Sequence, residues 1–354
     1  MADMKKGYSM KRYVILITIL SIISISTTIF FVKSISATEE KKEFAANELS
    51  EDESDLTAAK EVIQQKEPSI FPYTFSDDIG NKVTLEKKPE NVAVLFSSYA
   101  DIWKLAGGDV AITVEETVAR GLANENQVTI VDPGSGKEIN KEALIAAKPD
   151  FVIMTVDYAA QIELADYLRT RNIPAALFRI DDVYDYAHML EICTDILDTR
   201  ARYELYGASV LRETQSIIRK AKQQHSSPTI LLIRAFSYGA KAKTTDHFVG
   251  KMLKDLSADN IATHANTLLE DLSVEAILNE NPDHIFVTTM GEDTDASISY
   301  MNDEYVATAA FQSLNAIRED HYYVLPKDMF LYKPNERWAE AYRYLAKLLY
   351  PQEF

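Results

Sequence analysis

Cysteine is almost missing from this chain: Cys193 is the only one in 354 residues. A disulfide within the chain is excluded, and so is a zinc site built on cysteines. Cys193 sits in the apolar pattern "AHMLEICTDIL", where a buried, inert thiol is expected. Basic charge is also scarce. Lys and Arg number 37 against 54 Asp and Glu, for a net charge of −17. The first 37 residues carry +4 of this, so the remainder carries −21. A body this acidic repels nucleic acid, and no long basic stripe runs through it. Glycine-rich catalytic loops are incomplete. "GGDVAI" and "GSGKEIN" finish neither of the nucleotide-binding fingerprints, and "FSYGA" lacks the spaced glycines of a nucleophile elbow. His188, His225, His264, His284 and His321 are scattered, with no close metal-ligand spacing. No catalytic apparatus and no catalytic cofactor are expected from these absences.

What is present begins with a long apolar run. Residues 14–32 contain no charge and follow Lys5, Lys6, Lys11 and Arg12. As a helix they would cover about 28 Å, close to the thickness of a bilayer core. The basic flank belongs in the cytoplasm, so the remainder is exported. Small residues near Ala37 offer a cleavage site. Residues 1–37 are therefore a signal peptide or an N-terminal membrane anchor, and both alternatives stay open. No cysteine follows the run, which sets aside lipid attachment in its usual form. Residues 38–70 are rich in Glu, Lys, Ser and Ala and read as a charged, flexible tether.

From Phe71 onward, short apolar strands alternate with amphipathic helices. "YTFSDDIGNKVTL" predicts a hairpin, and "NVAVLF", "FVIMTV" and "IPAALFRI" predict buried parallel strands. Between Val183 and Gln224 the pattern turns helical, and then "TILLIRAF" and "HIFVTTM" restore the alternation. The fold class is α/β: two Rossmann-like lobes (71–198 and 226–354) joined by a single long helix (199–225), with a ligand cleft between the lobes.

One phrase is written twice. "NKEALIAAKPDFVIMT" starts at Asn140 and "SVEAILNENPDHIFVTT" at Ser273. Asn140 and Ser273 suit a helix N-cap. Glu142 and Glu275 fall in the first turn, where the helix dipole favours a carboxylate. Pro149 and Pro282 end each helix.

These phrases, with "FSDDIGNKVTL" and "NVAVLFSSYADIWKLAGG" in the same order, resemble the substrate-binding proteins of ABC importers for ferric siderophores, haem and cobalamin. The resemblance spans about residues 71–350. It implies two rigid lobes on a bridging helix, a ligand in the cleft, and a permease and its ATPase as partners. It also implies that Glu142 and Glu275 dock onto arginines of that permease. Surface adhesin or sensor on the same scaffold, and metallocluster-type enzyme, are the other readings.

Ligands in open α/β folds meet the carboxyl ends of strands. That rule nominates Ser97, Ser98, Tyr99, Asp157, Tyr158 and Arg179 in the first lobe. In the second it nominates Arg234, Tyr238, Lys241, Lys243, His247, Met290, Lys327, Tyr332 and Lys333. Cationic and aromatic residues in an acidic chain suit an anionic small-molecule iron chelate. His247 is a weak candidate metal ligand. Haem-binding members of the resembled family place a His at a similar loop-to-helix site, paired with a Met from the first lobe. Here "VDPGSGKEINKE" holds no Met.

Overall fold

The structure is a computed structural model, and it describes residues 71–354 except 266, 271 and 292. The expected membrane segment and tether, residues 1–70, lie outside the described residues. Described residues all belong to one compact unit.

The first alternating run forms a hairpin, with β1 (Tyr73–Ser76) antiparallel to β2 (Lys82–Leu85). The buried Asp77 carboxylate organises its turn. It accepts the backbone N–H groups of Ile79 (3.2 Å) and Asn81 (2.7 Å), and also that of Leu177 (3.2 Å). The hairpin is thereby fastened to the first lobe.

Five short strands follow: β3 (Val92–Val94), β4 (Ile112–Thr113), β5 (Thr129–Ile130), β6 (Phe151–Thr155) and β7 (Ala175–Phe178). All are parallel, in the order β5-β4-β3-β6-β7. Strand β6 is buried along its whole length, as a parallel strand covered on both faces must be. Its neighbours are connected by α1 (Ser97–Leu105), α2 (Lys141–Ala146) and α3 (Ala159–Arg169).

Helix α4 (Val183–Leu197) is capped by Asp182 and closed by Asp198, whose left-handed φ of 57° ends the run. The chain then re-enters helix at Arg200. Residues 200–222 are helical throughout, in three consecutive segments: Arg200–Tyr203, a π-helical Glu204–Ala208, and Ser209–Lys222. This bridging helix runs about 34 Å. Gly207 sits where it meets α4. A Cβ there would lie 2.7 Å from the Tyr203 ring and 3.3 Å from Leu190, so only glycine permits the approach.

The second lobe holds β8 (Thr229–Phe236), β9 (Gly239–Lys243), β10 (Asp259–Asn260), β11 (His284–Thr289) and β12 (Tyr322–Val324). Four are parallel in the order β10-β8-β11-β12, and β9 folds back antiparallel on β8. Helices α5 (Phe248–Asp255), α6 (Val274–Glu280) and α7 (Trp338–Leu349) complete the part that concerns function. Each lobe has its own apolar core. A third core is shared: it runs from Phe75 and Phe151 through Ile217 of the bridging helix to Leu232, Phe248 and Trp338. Burying a single Phe of this kind stabilises by roughly 1.5–3 kcal/mol. The lobes are thus joined by a common hydrophobic layer as well as by the helix.

Candidate functional site

The repeated phrase folds the same way twice. Asn140 Oδ1 accepts the N–H of Ala143 (2.9 Å), and Ser273 Oγ accepts that of Ala276 (3.3 Å). Each helix then ends on a left-handed residue before its proline, Lys148 (φ 54°) and Asn281 (φ 44°). Each following aspartate clips its strand to the neighbour. Asp150 accepts the N–H groups of Glu90 (2.8 Å) and Asn91 (2.9 Å), just before β3. Asp283 accepts the N–H and the hydroxyl of Thr229, both at 2.8 Å, at the start of β8. Cap, proline and aspartate therefore each have a structural task. Glu142 and Glu275 lie in the first turn, where the helix dipole favours them, but both are exposed, and neither carboxylate forms a hydrogen bond or an ion pair among the described residues.

On the cleft side, the second lobe presents three donor groups, His247 buried and Arg234 and Lys333 half-buried. Arg234 projects from β8, and its Nε is buried without a partner. His247, 6% exposed, caps α5 by accepting the Val249 N–H on Nδ1 (3.3 Å), while its Nε2 has no partner. The His247 ring stacks on Phe248 at 5.0 Å, and the Lys333 ammonium lies over the same Phe248 ring at 5.1 Å. Burial, then the charges of Arg234, Lys333 and Lys243, push His247 down to about 3, so it is neutral at neutral pH. Burial also holds Arg234 and Lys333 below the usual ranges of their types.

The first lobe faces this cluster with aromatic and acidic groups. Tyr158 is half-buried, edge-on to Phe96 at 5.9 Å, with Lys137 above its ring at 5.7 Å. Asp157 beside it is exposed, and both residues feel the charge of Arg234 across the cleft. The loop before α2 is scaffold. Gln161, fully buried, donates to Leu95 O (2.9 Å) and Gly136 O (2.7 Å). Gly136 (φ 98°) allows this, because a Cβ would fall 2.2 Å from the Leu95 oxygen.

A seam beyond the cleft ties the lobes. The side-chain amide of Asn335 donates to Ser98 O (2.9 Å) and to Asp101 Oδ2 (2.8 Å). Arg120 stacks on the Tyr332 ring at 4.0 Å and donates to Ser97 (3.0 Å) and Ser98 (3.3 Å). Lys251 and Asp181 form an ion pair at 3.6 Å.

Of the residues nominated from sequence, Arg234, His247 and Lys333 come together, with Tyr158 opposite. One nomination needs correction. Tyr99 is fully buried, its hydroxyl donating to Phe178 O (3.0 Å) and its ring packed on Phe96 and Phe178. It lies on the inward face of α1 and supports the cleft wall from behind. Arg179 is exposed, with its backbone N–H held by Asp78 (2.6 Å). Tyr238, 83% exposed, forms the tip of the β8–β9 hairpin. Lys241 stands opposite Arg234 on β9 but is exposed, and Lys243 is paired with Asp246. Met290 is half-buried, its N–H donating to Ala235 O at 2.9 Å. Phe248, Arg120 and Asn335 escaped the sequence reasoning. Only Phe248 carried a signal, being next to His247 at the start of an amphipathic helix.

The sequence profile described as periplasmic binding protein matches residues 92–329. The chain belongs to the periplasmic binding protein family. Relatives of this periplasmic binding protein include YvrC of Bacillus subtilis, an uncharacterized ABC transporter substrate-binding lipoprotein. It is 23% identical over 299 residues, covering 82% of this chain and 89% of that protein. A cobalamin-binding protein of Halobacterium salinarum is 24% identical over 284 residues, covering 77% and 74%. Among solved structures, the TroA-like periplasmic binding protein FepB of Veillonella parvula superposes with a TM-score of 0.66 at 18% identity, covering 80% and 91%. Staphylococcus aureus IsdE, complexed with heme, gives 0.59 at 17% identity, covering 74% and 100%. SirA of the same species, complexed with staphyloferrin B, gives 0.59 at 16% identity, covering 78% and 98%. These likenesses share the fold: two α/β lobes with parallel sheets.

Proposed function

We propose that this periplasmic binding protein is the extracytoplasmic substrate-binding component of an ABC importer. Its cargo is an iron complex, a ferric siderophore first, with haem and cobalamin as the other members of the class. It captures the complex in the cleft and passes it to a permease driven by an ATPase, with no chemistry on the protein itself. Residues 1–37 direct export, by cleavage or by anchoring.

The observation that carries this reading is the pair of glutamates. Every other recurrent part of the duplicated phrase is used up in holding helix and strand together. Only Glu142 and Glu275 point outward with free carboxylates, one per lobe. Two matched acids on rigid lobes form a two-point contact for a cationic partner. An adhesin or sensor needs no such matched pair. The test is the double variant Glu142→Ala with Glu275→Ala, assayed for cargo affinity and for uptake. Affinity should stay and uptake should vanish. Undiminished transport would remove the docking role.

A further inference from the structure

We infer that the bridging helix is a jointed rod: its π-helical turn, Glu204–Ala208, is the pivot about which the second lobe swings against the first to open and close the cleft. The inference stands on the helix and its fastenings and does not depend on what the cleft carries.

The two halves of the helix are tied to different lobes. Before the turn, the bonds run to the first lobe. Thr199 Oγ1 donates to Ala106 O (2.7 Å), the Arg202 guanidinium donates to Leu105 O (3.0 Å), and Arg200 pairs with Glu191 (2.9 Å) and Asp195 (3.3 Å) of α4. After the turn, Ser209–Lys222 packs on α7 of the second lobe. Glu213 pairs with Arg343 there, and Lys220 donates to Glu353 O and lies over the Phe354 ring at 4.5 Å. The π-turn occupies the boundary.

The turn itself is built to give. The Ser209 N–H reaches back five residues to Glu204 O, in place of the usual four. Such a turn fits one extra residue between two α-helical runs, and long helices bend sharply at interruptions of this kind. Leu205, apolar yet 60% exposed, adds length and no packing. Two carbonyls of the turn accept hydroxyls. Tyr186 reaches across from α4 to Tyr206 O (2.8 Å), and Ser209 Oγ bonds Leu205 O, a back-bond that favours bending. Tyr186 also feels the charges of Glu336 and Asp101, which flank the Asn335 bridge between the lobes. The seam therefore lies beside the pivot, where bonds lengthen little as the lobes rotate, and seam and swing are compatible.

The test uses the full chain with Glu163→Cys and Glu280→Cys, exposed sites on α3 and α6, each carrying a nitroxide label; Cys193 is buried and does not react. Pulsed electron resonance should give a broad distribution of distances between the lobes. Deleting Leu205 makes the rod α-helical throughout and should cut the width to about half. Tyr186→Phe removes the pin from the turn and should widen it. In the unlabelled chain, the amides of residues 206–210 should exchange hydrogen at least about 10-fold faster than those of 213–219. A single narrow distance in the wild type overturns the inference, and so does a width that the deletion leaves unchanged. Even protection along the whole helix overturns it as well, which keeps the inference open to refutation should the deletion variant fail to fold. Each of these outcomes leaves the import reading standing.

Discussion

The two lobes share a frame and differ in face. Cap, first-turn glutamate, left-handed residue, proline and aspartate clip recur in the same places, down to the strands they tie. The surfaces that meet across the cleft do not recur. The first lobe brings Phe96, Tyr158 and Asp157, while the second brings Arg234, His247 and Lys333. The proposed function assigns the matched glutamates to a partner that reads both lobes alike, and the diverged faces to a ligand with two unlike sides.

The most damaging way to test this is to break the likeness at one handle. Glu142→Arg and Glu275→Arg, made singly, should each cut uptake at least about 10-fold, since a like charge now faces the partner's cations. Cargo affinity should not move. If one reversal silences transport and the other leaves it whole, the handles are not equivalent and the duplicated frame is only structural.

A second difference lies at the far ends of the central strands. Phe151 opens β6, and His284 opens β11 in the corresponding place. His284 is buried, stacked on His321 at 4.4 Å, and its Nδ1 has no partner. Burial and the neighbouring His321 push it down to about 4. As pH falls from 6.5 towards 4, the unfolded chain binds a proton here and the folded chain does not. Stability is therefore lost across that window, by roughly 3 kcal/mol at most. His284→Phe, which makes the second lobe resemble the first, should remove this part of the acid sensitivity in urea melts at pH 7 and pH 4.5. An unchanged pH profile would locate the sensitivity elsewhere, with His247 next in line.

The aspartate clips offer a smaller test of the shared frame. Asp150→Ala and Asp283→Ala each lose two charge-assisted bonds at a partly solvated site. Each should destabilise by about 2 kcal/mol, and by similar amounts, in urea denaturation. A large disparity would mean that one lobe does not lean on its clip.

Much of this was legible in the sequence because it rests on local rules. Alternation gave the strands, Pro and Asn/Ser marked both ends of the repeated helices, and proline-free helical periodicity announced the bridge. Its internal irregularity was not visible: nothing in the sequence around Gly207 signals that Glu204–Ala208 turns π-helical. The cleft was half legible. Strand-end position finds residues near a cleft, but it does not say which way a side chain points. Arg234 and Lys333 are nominated by that position and by their charge in an acidic chain. The seam of Asn335, Ser98 and Arg120 is built from residues far apart in the chain, and such long-range hydrogen bonds leave no local pattern.

Tyr99 and Tyr158 make the smallest and cleanest contrast. Both follow a strand of the first lobe, and both carry a phenol that suits a ligand. Position on the next helix separates them. Tyr99 is the third residue of α1, on the face that packs against the sheet, whereas Tyr158 precedes α3 and stays half-buried at the cleft. Tyr99→Phe loses one neutral hydrogen bond to Phe178 O and should cost about 1 kcal/mol of stability with cargo affinity unchanged. Tyr158→Phe, whose hydroxyl lies 3.4 Å from Ser135, should leave stability nearly as it was and weaken cargo a few-fold. Reversed outcomes, with affinity falling in the first variant and stability in the second, would mean that the cleft wall moves enough in solution to turn Tyr99 towards the ligand.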